Sequence, residues 1–233
     1  DGGSSWSGEI WDMGSWSGHP SITISTGSNP RVFIAFDYKW LGTIWEVEIR
    51  YSDIGSSTWN IAFLLPSLRF PSIYASGDNI YVVSQSKFLS GNWKLIFLSS
   101  TDNGETWSLT FIDTAATSAD EEYPWVVANG QDVYIFYLNS TTGYICMVES
   151  HDGGNTWSNA VVVSDKGSGE NIYRTLSAIY SGGKVYVVWT DNRNRNDDIY
   201  FDKVPELQNI IILPLLVAFI VILSRRKKKH EGK

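Results

Sequence analysis

The sequence has little that would cross-link the chain or bind a metal. It contains one cysteine, Cys146, and three histidines among 233 residues. A single cysteine excludes an internal disulfide, and the scattered His19, His151 and His230 lack the spacing of a metal site. No phosphate-binding glycine-rich loop or G-x-S-x-G nucleophile motif occurs. We therefore expect no cofactor, and we interpret Cys146, which lies in an apolar run, as a buried strand residue.

Positive charge is scarce outside the last 29 residues. Lys and Arg total 18 against 25 Asp and Glu, which gives a formal net charge of −7. Residues 205–233 hold six of the bases and two of the acids, so residues 1–204 keep twelve bases against twenty-three acids, a net charge of −11. Nucleic acids bind clustered Lys and Arg, so this acidic part is not expected to bind nucleic acid. A neutral or cationic ligand suits it better than a polyanion.

Long apolar runs are absent apart from residues 207–223, which a block of five basic residues follows after Ser224. A membrane-spanning helix needs about 20 apolar residues and tolerates about 17. Basic residues stay on the cytoplasmic side, which places the preceding domain outside the cell membrane. A buried core helix is the alternative, and the basic flank argues against it. The sequence thus predicts a junction at 204–206, a single-pass transmembrane helix at 207–224 and a cytoplasmic tail at 225–233.

Aromatic residues are abundant, and one motif with a terminal Trp repeats along the chain. The pattern S-x-D-x-G-x-T-W occurs at 100–107 and at 150–157, a variant with one inserted residue at 52–59, and a partial copy at 1–6. A period near 50 residues indicates one repeated supersecondary unit. Asp followed two residues later by Gly suits a tight turn, in which the Asp side chain bonds the backbone two residues on. The Trp begins the next strand and packs on a neighbouring unit. The predicted structural residues are Asp1, Gly3, Trp6, Asp53, Gly55, Trp59, Asp102, Gly104, Trp107, Asp152, Gly154 and Trp157.

Each repeat is typical of four short strands separated by turn residues. The clearest repeat has its strands at 71–76, 80–84, 93–99 and 107–112. The last repeat has three predicted strands only, and residues 1–12 are expected to supply the fourth and close the ring.

The repeated motif resembles the Asp-box, or BNR repeat, of the sialidase-like β-propellers, over residues 1–203. The resemblance implies an all-β propeller of four-stranded antiparallel blades, with each box a structural hairpin on the outer part of its blade. Such propellers usually have six or more blades, so the four repeats are expected to belong to a six-bladed or larger propeller whose N-terminal repeats are missing. A four-bladed ring is the alternative. The tail is similar to C-terminal sorting tails of archaeal and some bacterial surface proteins, with Leu207 where those often carry Phe.

A ligand is expected over the central channel, beside the loops that lead into the first strand of each blade, at 18–20, 68–71, 121–124 and 172–175. Sialidases are implied to hold a carboxylate with three arginines and to use a Tyr paired with Glu as nucleophile. The segment from Arg69 to Pro71 is similar to the R-I-P element of that family. The resulting catalytic candidates are Arg69, Glu122, Tyr123, Tyr173 and Arg174.

Two functions stay open at this stage. The first is a surface binding module for a glycan or a protein, and the second is a sialidase-like exo-glycoside hydrolase. A third convincing arginine is missing from the sequence, which favours the binding module.

Two weaker motifs complete the candidate sites. Asn139 opens an N-S-T acceptor sequence for glycosylation, in a turn between predicted strands. The Asn-rich turn with Asp191, Asp197 and Asp198 could hold calcium, but it lacks the ligand spacing of a dedicated loop. A solvated turn is the preferred interpretation.

Overall fold

The computed structural model describes residues 16–40, 44–87, 91–112, 114, 119–165, 176–191 and 198–205. These residues form fifteen strands in four antiparallel sheets, which we call blades 1 to 4, and they contain no helix. Blade 1 comprises β1 (Ser17–Ile24), β2 (Arg31–Trp40), β3 (Ile44–Asp53) and β4 (Asn60–Pro66). Blade 2 comprises β5 (Leu68–Ser76), β6 (Asn79–Ser86), β7 (Lys94–Ser100) and β8 (Ser108–Phe111). Blade 3 comprises β9 (Glu121–Asn129), β10 (Asp132–Asn139), β11 (Tyr144–Ser150) and β12 (Val161–Val162), and blade 4 comprises β13 (Leu176–Ser181), β14 (Lys184–Asp191) and β15 (Asp198–Pro205).

Each blade is a simple meander in which every strand pairs with the next along the chain. The first strands of successive blades, β1, β5, β9 and β13, lie side by side. Hydroxyl groups join them: Ser21 Oγ accepts from the Ile73 amide at 3.1 Å, and Ser72 Oγ accepts from the Val126 amide at 3.1 Å. The predicted all-β fold of four-stranded blades is confirmed for blades 1 to 3.

The hydrophobic cores lie between blades because blades 2 and 3 bury both faces against their neighbours, whereas blades 1 and 4 each have one described neighbour. Phe33 and Ala35 of blade 1 pack with Ile73, Ile80 and Val82 of blade 2. Similar clusters join blade 2 to blade 3 and blade 3 to blade 4. Cys146 lies in the cluster between blades 2 and 3, and burial raises the pKa of its thiol to about 11. Its interpretation as a buried strand residue is confirmed.

The two full copies of the motif form nearly identical hairpins. Asp102 accepts hydrogen bonds from the backbone and hydroxyl of Thr106, at 2.9 and 2.5 Å, and from Ser100 Oγ at 2.7 Å. Asp152 repeats this with Thr156 at 2.8 and 2.6 Å, and with Ser150 at 2.8 Å. The Asp therefore bonds the backbone four residues on, and the expected bond two residues on is wrong.

The hydrogen bonds in these hairpins lower the pKa values of Asp102 and Asp152. Hydrogen bonds from Thr156 lower the pKa of Asp152 to about 2. For Asp102, partial burial acts to raise the pKa, but the bonds from Thr106 and Ser100 outweigh it and lower the pKa. Both side chains are therefore ionised at neutral pH as structural hydrogen-bond acceptors.

The variant at 52–59 is built differently. In the variant Asp53 directly follows Ser52, whereas in the full box one residue separates Ser100 from Asp102. The Asp53 carboxylate pairs with Arg31 Nε at 2.9 Å. The Thr58 amide donates to Ser56 Oγ, whereas the Thr of each full box donates to the Asp carboxylate. The inserted residue therefore replaces the internal Asp network by an exposed ion pair.

Several predicted features lie outside the described residues. They are the partial box Asp1, Gly3 and Trp6, the strand at 1–12, the candidates Tyr173 and Arg174, the transmembrane helix at 207–224 and the tail at 225–233. Among the residues that the structure describes, none belongs to a helix with the length and apolar character needed to cross a membrane.

The segments expected to lead into the first strands as loops are themselves parts of those strands. Residues 18–20, 68–71 and 121–124 belong to β1, β5 and β9. A register shift interrupts the pairing at each of these places. The expectation of loops is corrected to bulged strand ends, because the pairing resumes on the far side of each bulge.

Candidate functional site

Three bulged residues at one end of the blades share an unusual backbone conformation. His19, Phe70 and Tyr123 have φ angles of +46°, +53° and +52°. Each directly precedes a proline, which ordinarily pushes its neighbour into the extended region. Such strain persists only where surrounding contacts over-determine it. We define the aromatic mouth as these three residues together with Trp125.

Side chains from the second strands hold two of these bulges. Asp37 Oδ2 accepts from the Phe70 amide at 3.0 Å, and Gln85 Oε1 accepts from the Tyr123 amide at 2.6 Å. Asp37 and Gln85 occupy equivalent positions in β2 and β6, and each caps the bulge of the following blade. The bulge re-aims the mouth residue, and the cap fixes it in place.

Three of the mouth rings contact one another beside a cavity. The His19 and Phe70 rings lie 3.9 Å apart between centroids, and Phe70 meets Tyr123 edge to face at 4.8 Å. These side chains and Trp125 line a cavity of about 170 Å³. A larger volume of about 650 Å³ shares Trp125 and the start of β1, and continues along the first strands to blade 4. The arrangement offers flat apolar rings with few polar atoms, which is typical of small-molecule sites.

Arg69 lies at the same end, but its guanidinium contacts other side chains of the protein. Its guanidinium is 4.0 Å from the ring centroid of Trp45 and 4.6 Å from that of Phe70. Its Nε is 4.0 Å from Oδ2 of Asp37, which is fully buried. Cation–π contacts and a buried counter-charge stabilise this position between blades 1 and 2.

Of the other catalytic candidates, Tyr123 lines the cavity, and Glu122 is bonded within its own blade. Glu122 accepts a hydrogen bond from Ser140 Oγ at 3.1 Å, within its own blade. Tyr123 contributes its ring to the aromatic mouth. Tyr173 and Arg174 fall outside the described residues.

Glu121, next to the candidate Glu122, has a structural role. It is fully buried, and it accepts from Lys94 Nζ at 3.1 Å and from the Thr114 hydroxyl. A buried carboxylate is tolerated when it is paired and hydrogen-bonded in this way. The pair joins the starts of β7 and β9, and therefore locks blade 2 to blade 3.

Sequence reasoning missed Asp37 and Gln85. The two residues are 48 positions apart, at equivalent places in the second strands of successive repeats. An alignment of the repeats therefore shows a polar residue at this position in both. Their importance depends on the bulge of the following blade, which no local pattern reveals. His19 was placed at the channel, but its pairing with Asp37 was not predicted.

The weaker motifs have ordinary surroundings. Asn139 ends β10, and its Oδ1 accepts from the Thr142 amide at 3.1 Å in a turn. Asp191 and Asp198 face each other across β14 and β15, and Asp197 is outside the described residues. Within the described parts of the chain, no group of three or more His, Cys, Asp or Glu side chains is placed to hold a metal ion.

Comparison with family models gives one match. The model described as "BNR repeat-like domain" matches residues 41–197, which is most of the chain. A search of curated proteins finds no match.

Solved structures resemble the chain in fold at low sequence identity. Trypanosoma rangeli sialidase in complex with the inhibitor DANA has 14% identity and a TM-score of 0.55, over 89% of this chain and 34% of the sialidase. A Dyadobacter fermentans protein of unknown function has 14% identity and a TM-score of 0.59, over 81% of this chain and 61% of its own. A Penicillium chrysogenum α-L-arabinanase complexed with arabinobiose has 13% identity and a TM-score of 0.56, over 83% of this chain and 64% of the arabinanase. The chain spans about a third of the length of the sialidase, and these similarities concern the fold alone.

Proposed function

The chain belongs to the family of BNR repeat-like domains, and from that premise we propose that it is a glycan-binding module of the cell surface. The observation that carries this proposal is the aromatic mouth around its 170 Å³ cavity. A sugar ring presents an apolar face of C–H groups that stacks on aromatic rings, while a few polar atoms fix its orientation.

The fold neighbours support a carbohydrate ligand over a protein partner. They are named as a sialidase with an inhibitor and as an arabinanase complexed with arabinobiose. A concave cavity also suits a small ring better than it suits a flat protein surface.

The surroundings of Arg69 favour binding over sialoside hydrolysis. An arginine that clamps a substrate carboxylate needs its fork directed at the ligand. Here the guanidinium is stacked against Trp45 and Phe70, beside the carboxylate of Asp37. We therefore place hydrolase activity second, and expect the chain not to cleave a fluorogenic sialoside.

The proposal includes display outside the cell through the segment 207–224. Its apolar run and the basic block after it support a single-pass anchor with the propeller extracellular. Expression with and without residues 207–233, followed by separation of membranes, tests this part. Equal release of both forms into the soluble fraction would contradict the anchor.

Binding of the full chain to a glycan array, kept in mild detergent, tests the proposed function. Replacing Tyr123 by Ala removes a ring of the mouth, and we expect binding to fall about ten-fold, or ~1.4 kcal/mol. Phe111→Ala is the matched control, because this aromatic residue is exposed on the outer strand β8. Equal losses in both variants, or no glycan bound by the natural chain, would rule out the proposal.

A further inference from the structure

We propose that the ligand of the aromatic mouth is a neutral sugar, one hydroxyl of which is bound by Nε2 of His19. This inference rests on the proposed function and names its ligand class. It combines the hydrogen bonds of His19, the position of that ring and the charges around it.

The hydrogen bonds of His19 determine which nitrogen is available. Nδ1 lies 2.9 and 3.0 Å from the two carboxylate oxygens of Asp37. The carboxylate is fully buried and also accepts from the Phe70 amide. An ionised carboxylate only accepts hydrogen bonds, so Nδ1 carries the proton. In the tautomer with its proton on Nδ1, the lone pair is on Nε2, which accepts hydrogen bonds.

The ring position directs this acceptor to the cavity. The imidazole lies against Phe70 at 3.9 Å, lines the cavity, and its side chain is 33% exposed. With Nδ1 held inside by Asp37, Nε2 is the polar atom that the ring offers to a ligand. A sugar stacked on the mouth places its hydroxyls around its rim, where one can donate to Nε2. A site prepared to hydrogen-bond a hydroxyl discriminates against ligands that lack one.

The local charges favour a neutral ligand. The positive charge of Arg69 is compensated by Asp37 and covered by Trp45 and Phe70. A carboxylated sugar in the cavity would lie close to the buried Asp37 carboxylate, which contacts His19, in a region where charges are poorly screened.

Two histidine variants test the inference on an array that pairs neutral oligosaccharides with their sialylated forms. His19→Phe removes the acceptor and keeps an aromatic ring, and Phe70 shows that this backbone conformation accepts Phe. His151→Phe is the matched control, because His151, within the box at 150–157, is also paired with an Asp, at 2.7 Å to Asp132. Thermal unfolding of each variant sets the temperature at which all are folded.

We expect the natural chain to bind neutral glycans at least ten-fold more tightly than their sialylated forms. His19→Phe should weaken binding about ten-fold, and His151→Phe should leave it unchanged. Equal binding by the natural chain and His19→Phe, or a preference for sialylated forms, overturns this inference and leaves the proposed function standing. No binding to any glycan overturns both.

The tautomer gives a readout that is independent of any ligand. Long-range nitrogen–proton NMR spectra of the full chain at pH 8 distinguish Nδ1–H from Nε2–H imidazoles, and His19→Phe identifies the signal. We expect His19 to be the Nδ1–H form. An Nε2–H signal would overturn the inference whatever the array shows.

Discussion

The full boxes at 100–107 and 150–157 and the variant box at 52–59 occupy the same place in their blades, but they differ in what they touch. Gly104 lies against Phe33 of blade 1, where an added Cβ would be 2.7 Å from the ring. Gly154 lies against Phe97 of blade 2, where the distance would be 2.1 Å. Around Gly55 an added Cβ meets no described atom within 4 Å. A full box thus docks on the preceding blade, while the variant box has no described blade to dock on.

This difference explains why the motif needs its Gly and its spacing. The Gly lets the turn reach an aromatic ring of the neighbouring blade, and the Asp network holds the turn in that shape. The Trp of each full box also packs against a preceding blade, with Trp107 at 6.0 Å from Phe63 and Trp157 at 4.9 Å from Phe97. The hairpin is therefore an inter-blade joint, which agrees with its structural interpretation.

The largest expected effect comes from adding a methyl group at the joint. Gly154→Ala combines a φ of +94° with the 2.1 Å approach to Phe97, and should lower the free energy of unfolding by about 3 kcal/mol. Gly55→Ala has the backbone strain of φ +85° alone, and should cost about 1 kcal/mol. Urea unfolding of both variants measures the difference. Equal costs would show that the neighbouring blade plays no part.

A smaller loss of stability is expected when the Asp of a full box or of the variant box is replaced. Asp152→Ala removes hydrogen bonds to Thr156 and Ser150, and should destabilise by about 2 kcal/mol. Asp53→Ala removes the exposed pair with Arg31, and should cost about 0.5 kcal/mol. Chemical unfolding at neutral pH tests this, and a larger cost for Asp53→Ala would contradict the account of the variant box.

The smallest effect is a pH dependence. The pKa of Asp152 is lowered to about 2 from an ordinary value of 3.8. Its ionised form therefore stabilises the fold fully above about pH 4, and this contribution is lost as the pH falls towards 2. We expect the stability difference between the natural chain and Asp152→Asn to shrink over that window. A constant difference from pH 5 to 2.5 would show that the carboxylate charge is not responsible.

Much of the fold follows from local patterns. The strands of blade 2 were predicted at 71–76, 80–84, 93–99 and 107–112, close to their observed bounds, because alternating apolar residues and turn residues both act over short distances. The mouth was located less well. Its residues were expected in loops, whereas bulges capped by Asp37 and Gln85 place them on strands. Arg69 was a reasonable clamp by sequence, but Trp45 and Asp37 reach it from another blade.

The sequence by itself determined the repeat, the blade as the repeating unit, the hairpin at each full box and the burial of Cys146. These depend on residue spacing and on side-chain chemistry within about 50 residues. Only the tertiary structure decided which side chains meet at the mouth. The His19–Asp37 pair, the ring contact between His19 and Phe70 and the compensation of Arg69 all arise where strands of different blades come together. Contacts between blades depend on how the sheets pack, and a one-dimensional pattern does not contain that geometry.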